Sequence, residues 1–356
     1  PPRSTLFPYT TLFRSWECRR PNSSDVDFGS CPRITPLIHD GRVYVVGAAG
    51  GLACLGLVSG QVLWTRDLRG DFGTAELPTW GFCGSPLLVA GRLIVNPGAD
   101  RGSIVALNPT TGETLWSTPG RAANYSSLTA VDVRGVPQIV GYDKEGLGAW
   151  DAATGKPVWF LPIASHKGYL VPTPQMVDGR LLVAYTRGTE LYAFGEDGAI
   201  IPETAARDRR ARAELSTPLV LGSRVVGASG RLLCLSPADG MQRQWEGEPD
   251  RRFRGDSITH LVGTLDGRRM LAFCYDGTAM LLDAVGEGLE LIEERKLHEG
   301  GWAHPAVLRE TIICRDSSRV HCYAVGDRDK ARSNCRASRE PPRAPDPVES
   351  VVEQSH

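Results

Sequence analysis

Residues 85–119 read SPLLVAGRLIVNPGADRGSIVALNPTTGETLWSTP. The order is Ser-Pro, apolar residues, a turn, Gly-Arg, an alternating apolar run, a second run ending in Leu, a turn with Gly, then Leu-Trp. Residues 35–68, TPLIHDGRVYVVGAAGGLACLGLVSGQVLWTRDL, repeat that order. A third unit begins at Ser126 and carries DAATGKPVWFLP from Asp151, and a fourth begins TPQMVDGRLLVAY at Thr173. A fifth begins TPLVLGSRVVGASGRLLCLSPADG at Thr217. A more worn sixth, THLVGTLDGRRMLAFCYDG, starts at Thr259, and a seventh, HPAVLRETIICRDSSRVHCYAV, at His304. The second residues of the units, Pro36, Pro86, Ser127, Pro174, Pro218, His260 and Pro305, stand 41 to 50 residues apart.

Each unit holds four short runs with period-two alternation, which predicts strands with one buried face. Asp40-Gly41 and Asp178-Gly179 suit tight hairpins, where positive φ is required. Four strands every 40 to 50 residues is the spacing of a propeller blade. A series of β-sandwiches would not explain the same order of turns recurring in seven units. The predicted fold is therefore all-β, a propeller of four-stranded antiparallel blades with about seven blades visible. Helical periodicity is confined to a weak polar stretch near Thr204–Leu215.

The signature Ala-Leu-(Asn/Asp)-x-x-Thr-Gly-x-x-x-Trp stands at Ala106–Gly112 closing on Trp116. It recurs at Ala149–Gly155 closing on Trp159, with weaker copies at Leu57–Trp64 and Ser236–Trp245. Over residues 16–326 the chain resembles the pyrroloquinoline-quinone (PQQ)-like, quinoprotein-type β-propeller repeat family. Its members include PQQ-dependent alcohol dehydrogenases, a lipoprotein scaffold of outer-membrane protein assembly, and uncharacterised exported bacterial propellers. Pro78–Pro86, PTWGFCGSP, resembles the last group most. The resemblance implies an exported, periplasmic or extracellular protein. Trp64, Trp116, Trp159 and Trp245 fall at matching positions and are expected to pack between neighbouring blades, burying a large aromatic surface.

Several expectations concern the ends. Thr5–Ser15, TLFPYTTLFRS, resembles over its full length the conceptual translation of a sequencing adapter, so residues 1–15 are set aside. Trp16-Glu17 resembles the close of another unit, 48 residues before Trp64. The seventh unit lacks a fourth strand and its Trp. The expectation is an eight-bladed parent missing three strands of one blade and the closing strand. Residues 327–356 are charged and Pro-rich, the composition of a disordered tail.

Catalytic chemistry finds little support. The resemblance implies that a PQQ dehydrogenase holds calcium beside the quinone with carboxylate and amide oxygens, has an Asp base, and often has adjacent cysteines. No Cys-Cys pair or compact Asp/Asn/Glu motif is present, and calcium needs six to eight oxygen ligands. Asp100-Arg101 and Asp143-Lys144-Glu145 read as solvated turns. Gly47–Gly51 reads as a hairpin turn and not a phosphate cradle, because no helix follows. Gly81–Ser85 lacks the strand–turn–helix context of a nucleophile elbow. The seven histidines show no metal-ligand spacing, and Arg207–Arg212 reads as a solvated basic loop.

Nine cysteines include Cys54, Cys234 and Cys274 inside apolar runs, expected to be small buried hydrophobes. A formal net charge of −1 gives no electrostatic reason for a nucleic-acid partner. No run of eighteen apolar residues predicts a membrane span.

The remaining constellation precedes the first strand of successive units. Arg33, Trp80, Tyr125, His166, Trp302 and His304 should ring one mouth of the central channel. Arg, Trp and Tyr are frequent binding anchors, and pockets favour aromatic walls with few polar groups. The functional expectation is a non-catalytic propeller that binds a protein or small-molecule partner through that face, with no catalytic residues, metal or cofactor. The alternative is a PQQ-dependent oxidoreductase.

Overall fold

The computed structural model of the chain describes Val26 and residues 33–74, 76–163, 168–254, 257–264, 266–308, 311–316 and 319–324. The expectations for residues 1–15, for Trp16-Glu17, for His166 and for the tail from residue 327 lie outside the described residues.

Blade 1 comprises β1 (Leu37–His39), β2 (Arg42–Val46), β3 (Gly51–Gly56) and β4 (Val62–Asp67). Blade 2 comprises β5 (Leu87–Val89), β6 (Arg92–Val95), β7 (Ile104–Leu107) and β8 (Thr114–Thr118). Blade 3 follows with β9 (Thr129–Val133), β10 (Val136–Tyr142), β11 (Gly146–Asp151) and β12 (Pro157–Pro162). Blade 4 has β13 (Gln175–Val177), β14 (Arg180–Tyr185), β15 (Gly188–Tyr192) and β16 (Ala206–Asp208). Blade 5 has β17 (Leu219–Leu221), β18 (Arg224–Ala228), β19 (Leu232–Ser236) and β20 (Gln242–Glu246). Blade 6 has β21 (Thr259–Gly263), β22 (Arg269–Cys274), β23 (Thr278–Val285) and β24 (Gly288–Lys296). Blade 7 shows β25 (Ala306–Leu308), β26 (Thr311–Arg315) and β27 (Val320–Ala324). Every sheet is an antiparallel meander in chain order: six have four strands and, among the described residues, the seventh has three. The arrangement is a propeller.

The turns behave as their residues dictate. Asp40 and Gly41 take φ of 45° and 68°, and Asp178 and Gly179 take 48° and 70°. Both are two-residue hairpins whose twist matches the flanking strands. Gly47–Gly51 closes a hairpin, with Gly47 N donating to the Gly51 carbonyl at 2.9 Å.

Burial differs from the one-faced expectation. The third strands of blades 2, 4 and 5 are buried along their whole length. Successive blades stack face to face, so the middle strands are covered on both sides, the same reason that parallel sheets read as continuous apolar runs. Alternation with exposed residues is kept in outer strands such as β4 and β12 and in the first strand β9. Cys54 and Cys234 have no exposure and Cys274 has 3%. They serve as small core residues.

Two local expectations change. Thr204–Leu215 forms no helix; it contains β16 and a turn capped by Asp208 Oδ1, which accepts from Arg210 N at 2.7 Å. The polar pattern there reflects an outer strand on the surface. The helix α1 instead spans Leu68–Phe72, started by the Asp67 carboxylate, which accepts from Arg69 N at 3.2 Å, and ended by Gly73 at φ 79°. Asp143 does make a turn, but a buried one: it is 3% exposed and pairs with Arg121 at 2.6 Å. Its other oxygen accepts from the amides of Glu145 and Gly146.

Candidate functional site

In a meander entered by its first strand, every connection from the fourth strand of one blade to the first strand of the next opens on the same face. Those connections are tied by one repeated device. Thr35 N donates to Ser85 Oγ at 3.0 Å, and Ser85 N donates to Ser127 Oγ at 3.1 Å. Thr173 N donates to Thr217 Oγ1 at 3.1 Å, and Thr259 N to Ser216 Oγ at 2.9 Å. Ser/Thr at or beside the head of a unit thus ties blades 1 to 2, 2 to 3, 4 to 5 and 5 to 6. At Thr259, which is buried, an amide without such a partner would be costly.

Just ahead of these hydrogen bonds lie the aromatic residues. Trp80 and Tyr125, from the connections into blades 2 and 3, have ring centroids 4.5 Å apart at 40°. Tyr169, entering blade 4, sits 5.1 Å from Trp80 at 55°. Its hydroxyl donates to Glu214 Oε1, on the connection into blade 5. Arg33, ahead of blade 1, donates from Nε to the Trp80 carbonyl at 3.2 Å. Asn124 Oδ1 receives Leu170 N at 2.7 Å, locking the Tyr125 and Tyr169 loops together. The aromatic rings are half-buried. The result is a tilted aromatic platform with a cation at one end and a carboxylate at the other, drawn from five consecutive blades.

Trp302 and His304 join a different group. The His304 ring lies 4.6 Å from that of His260, whose Nε2 lies 3.1 Å from the Trp302 carbonyl. Burial first, and then the neighbouring His304, push the His260 pKa down to about 4. Trp302 is 55% exposed. Among the described residues the expected channel-mouth set therefore divides into a platform (Arg33, Trp80, Tyr125) and a histidine pair with Trp302. Tyr169, Glu214 and His260 are absent from the sequence-derived set. Their signal was position alone: His260 lies in a first strand, and Tyr169 and Glu214 stand within six residues of one, as Tyr125 does and Trp80, seven residues ahead, nearly does.

Cys83 lies beneath Trp80, its sulfur 3.7 Å from the Trp80 carbonyl. Burial pushes its thiol pKa up to about 11, with Arg33 opposing only partly, so the thiolate is scarce. Among the described residues no three His, Cys, Asp or Glu side chains form a metal-ligating group.

The tryptophans of the repeat close the blades against one another. Trp64 Nε1 donates to the Pro109 carbonyl of blade 2 at 3.1 Å. A Cβ on Gly112 would meet the Trp64 ring at 2.7 Å, and one on Gly155 would meet Trp116 at 2.4 Å. Trp159 Nε1 donates to Gln138 Oε1 at 2.9 Å, and Gln138 in turn donates to Gly198 O of blade 4 at 3.0 Å. Trp245 lies 2.4 Å from an added Cβ at Gly288 of blade 6.

A family model described as outer membrane protein assembly factor BamB matches residues 16–245. The chain belongs to that family. A relative of that name from Burkholderia pseudomallei is 30% identical over 154 residues, covering 40% of this chain and 38% of the relative. The chain thus matches well under half the length of that protein. Among solved structures, BamB from Moraxella catarrhalis superposes with a TM-score of 0.59 at 19% identity, over 81% of this chain and 80% of that one. Quinohemoprotein alcohol dehydrogenase from Comamonas testosteroni gives 0.52 at 14% identity, over 78% and 61%. Both structural likenesses speak for the fold alone. No described helix is long and apolar enough to cross a membrane.

Proposed function

We propose that this chain is a non-catalytic binding propeller that serves outer-membrane protein assembly, acting as an exported protein in the periplasm. It docks a protein partner on the face formed by the connections into the first strands. The observation that carries the reading is the platform of Trp80, Tyr125 and Tyr169, flanked by Arg33 and Glu214. Stacked aromatics bring large contact area with little side-chain freedom to lose, and hot spots concentrate in such residues. Family membership supports the same direction.

The test is complementation. In a host lacking the gene, the Trp80→Ala/Tyr125→Ala variant should accumulate in the periplasm as the parent does, yet fail to restore outer-membrane β-barrel protein levels. Full restoration by that variant would remove the platform from the function. The oxidoreductase reading is checked on the same purified chain by dye reduction with an alcohol, PQQ and calcium. Turnover there would replace the scaffold reading.

A further inference from the structure

Blade 4 breaks the pattern of its neighbours at the rim. Trp64, Trp116 and Trp159 each stand four residues after a turn glycine, at 60, 112 and 155; four residues after Gly198 stands Pro202. The bulge that sets the Trp register in blades 1, 2, 3 and 5 is missing from the β15–β16 ladder. β16 has only three residues. On the facing blade, Gly240 is the counterpart of Gly112 and Gly155, yet an added Cβ there would meet nothing within 4 Å. The slot that a tryptophan fills at other junctions is open here. It is a cavity of about 530 Å³ lined by Arg207, Asp208, Arg209, Arg210, Met241 and Arg243.

Asp208 and Arg243 neutralise each other. Arg243 Nη2 donates to Asp208 Oδ1 at 3.0 Å, and Nε donates to Oδ2. Arg243 also bonds Glu246. The guanidinium groups of Arg207, Arg209 and Arg210 are exposed and make no hydrogen bond or ion pair among the described residues. Three exposed guanidinium groups therefore border a slot in which one carboxylate is already held by an arginine fork. The Glu246 carboxyl is held below its ordinary range first by Arg243, and the charge of Arg210 already helps to hold it there. Guanidinium forks match carboxylates in a planar, two-bonded geometry.

We propose that this rim slot between blades 4 and 5 binds an acidic segment of a partner protein, with Asp or Glu side chains reaching Arg207, Arg209 and Arg210. A flat anionic membrane fits less well, because the exposed Glu246, bonded to Arg243, stands beside the slot and would be pressed against it. A protruding acidic side chain avoids Glu246. The cavity is also far larger than a free phosphate requires. The slot shares no residue with the aromatic platform, so the two readings fail separately.

The experiment uses the purified chain and fluorescence anisotropy of a fluorescein-labelled Glu-Ser repeat peptide. Binding should weaken as salt rises. Arg209→Glu/Arg210→Glu should lower affinity by about tenfold or more, as charge reversal does at complementary interfaces. Gln242→Trp, which fills the slot without altering charge, should also block the peptide. Trp80→Ala should bind as the parent does, and far-UV circular dichroism should show each variant folded. The proposal is overturned if the peptide fails to bind, or binds both slot variants like the parent. It is equally overturned if phosphatidylglycerol vesicles bind through these arginines while the peptide does not, or if inorganic phosphate displaces the peptide at comparable concentration.

Discussion

The junction between blades 2 and 3 and the junction between blades 4 and 5 occupy equivalent places in the repeat and are built from opposite materials. At the first, the Trp116 ring lies against the backbone of Gly155, so close that the glycine has no room for a side chain. At the second, an ion pair between Asp208 and Arg243 spans the blades and Gly240 faces open space. The first junction packs an aromatic ring on glycine backbone, beside a hydrogen bond from Thr118 Oγ1 to the Gly155 carbonyl; the second is held by charge and is open. The contrast teaches that a propeller does not need every tryptophan. Hydrogen bonds at the first strands, Thr173 N to Thr217 Oγ1 and Gln175 Nε2 to the Pro218 carbonyl, and continuous packing of the middle strands hold blades 4 and 5 together, leaving one rim position free for another use. Function on such folds lives in sites of this kind and not in the frame.

The comparison is sharpened most by removing a tryptophan. Trp159 is buried and hydrogen-bonded through Gln138 to the next blade. Trp159→Ala should cost about 3–5 kcal/mol in urea unfolding. A cost below that of a typical surface substitution would mean that these residues do not hold the blades together.

A paired glycine test comes next. Gly155→Ala adds a methyl at φ +72° directly against Trp116, which should cost about 2–5 kcal/mol from left-handed strain and overpacking together. Gly240→Ala carries only the backbone strain at φ +68°, about 1–2 kcal/mol. Equal costs at the two sites would break the claim that the slot is open. Trp159→Phe is a finer probe. It keeps most of the ring but strands the buried Gln138 oxygen, for an expected loss of about 1–3 kcal/mol, and Gln138→Leu in that background should recover part of it.

What was legible in the sequence follows the same division. The blades, their turns and four of the rim tryptophans announce themselves locally, because each needs a fixed residue type at a fixed offset: Asp40-Gly41 for positive φ, Gly155 for close approach, Trp159 for the interblade gap. That Trp80 and Tyr125 share one loop cluster was legible by type and place. Tyr169 and Glu214 were not, since their hydroxyl–carboxylate contact joins residues 45 apart, and nothing periodic marks either one. The basic run at Arg207–Arg212 looked like a solvated loop because Arg243, which organises its only acidic member, lies 35 residues beyond Asp208. The middle strands misled in the other direction: alternation suggested one covered face, whereas blade stacking covers both.

The smallest expected effect separates the two junctions by acid. Burial alone would raise the Asp208 pKa, but the Arg243 bond and the amides of Arg210 and Ala211 outweigh it and hold the carboxyl below its ordinary 3.8. The unfolded chain therefore binds a proton at Asp208 before the folded chain does, so folding loses stability as pH falls. The contribution is complete above about 3.8 and drains away as pH drops through the lower folded value. Asp208→Asn should be less stable than the parent at neutral pH, and the gap between their urea midpoints should close on acidification into that window. Trp116→Phe, which removes no titrating group, should keep a constant gap over the same range. If both gaps close together, acid acts on the whole ring and the ion pair is not what distinguishes blades 4 and 5. If only the Asp208 gap closes, the open junction is held by charge where its neighbours are held by aromatic packing.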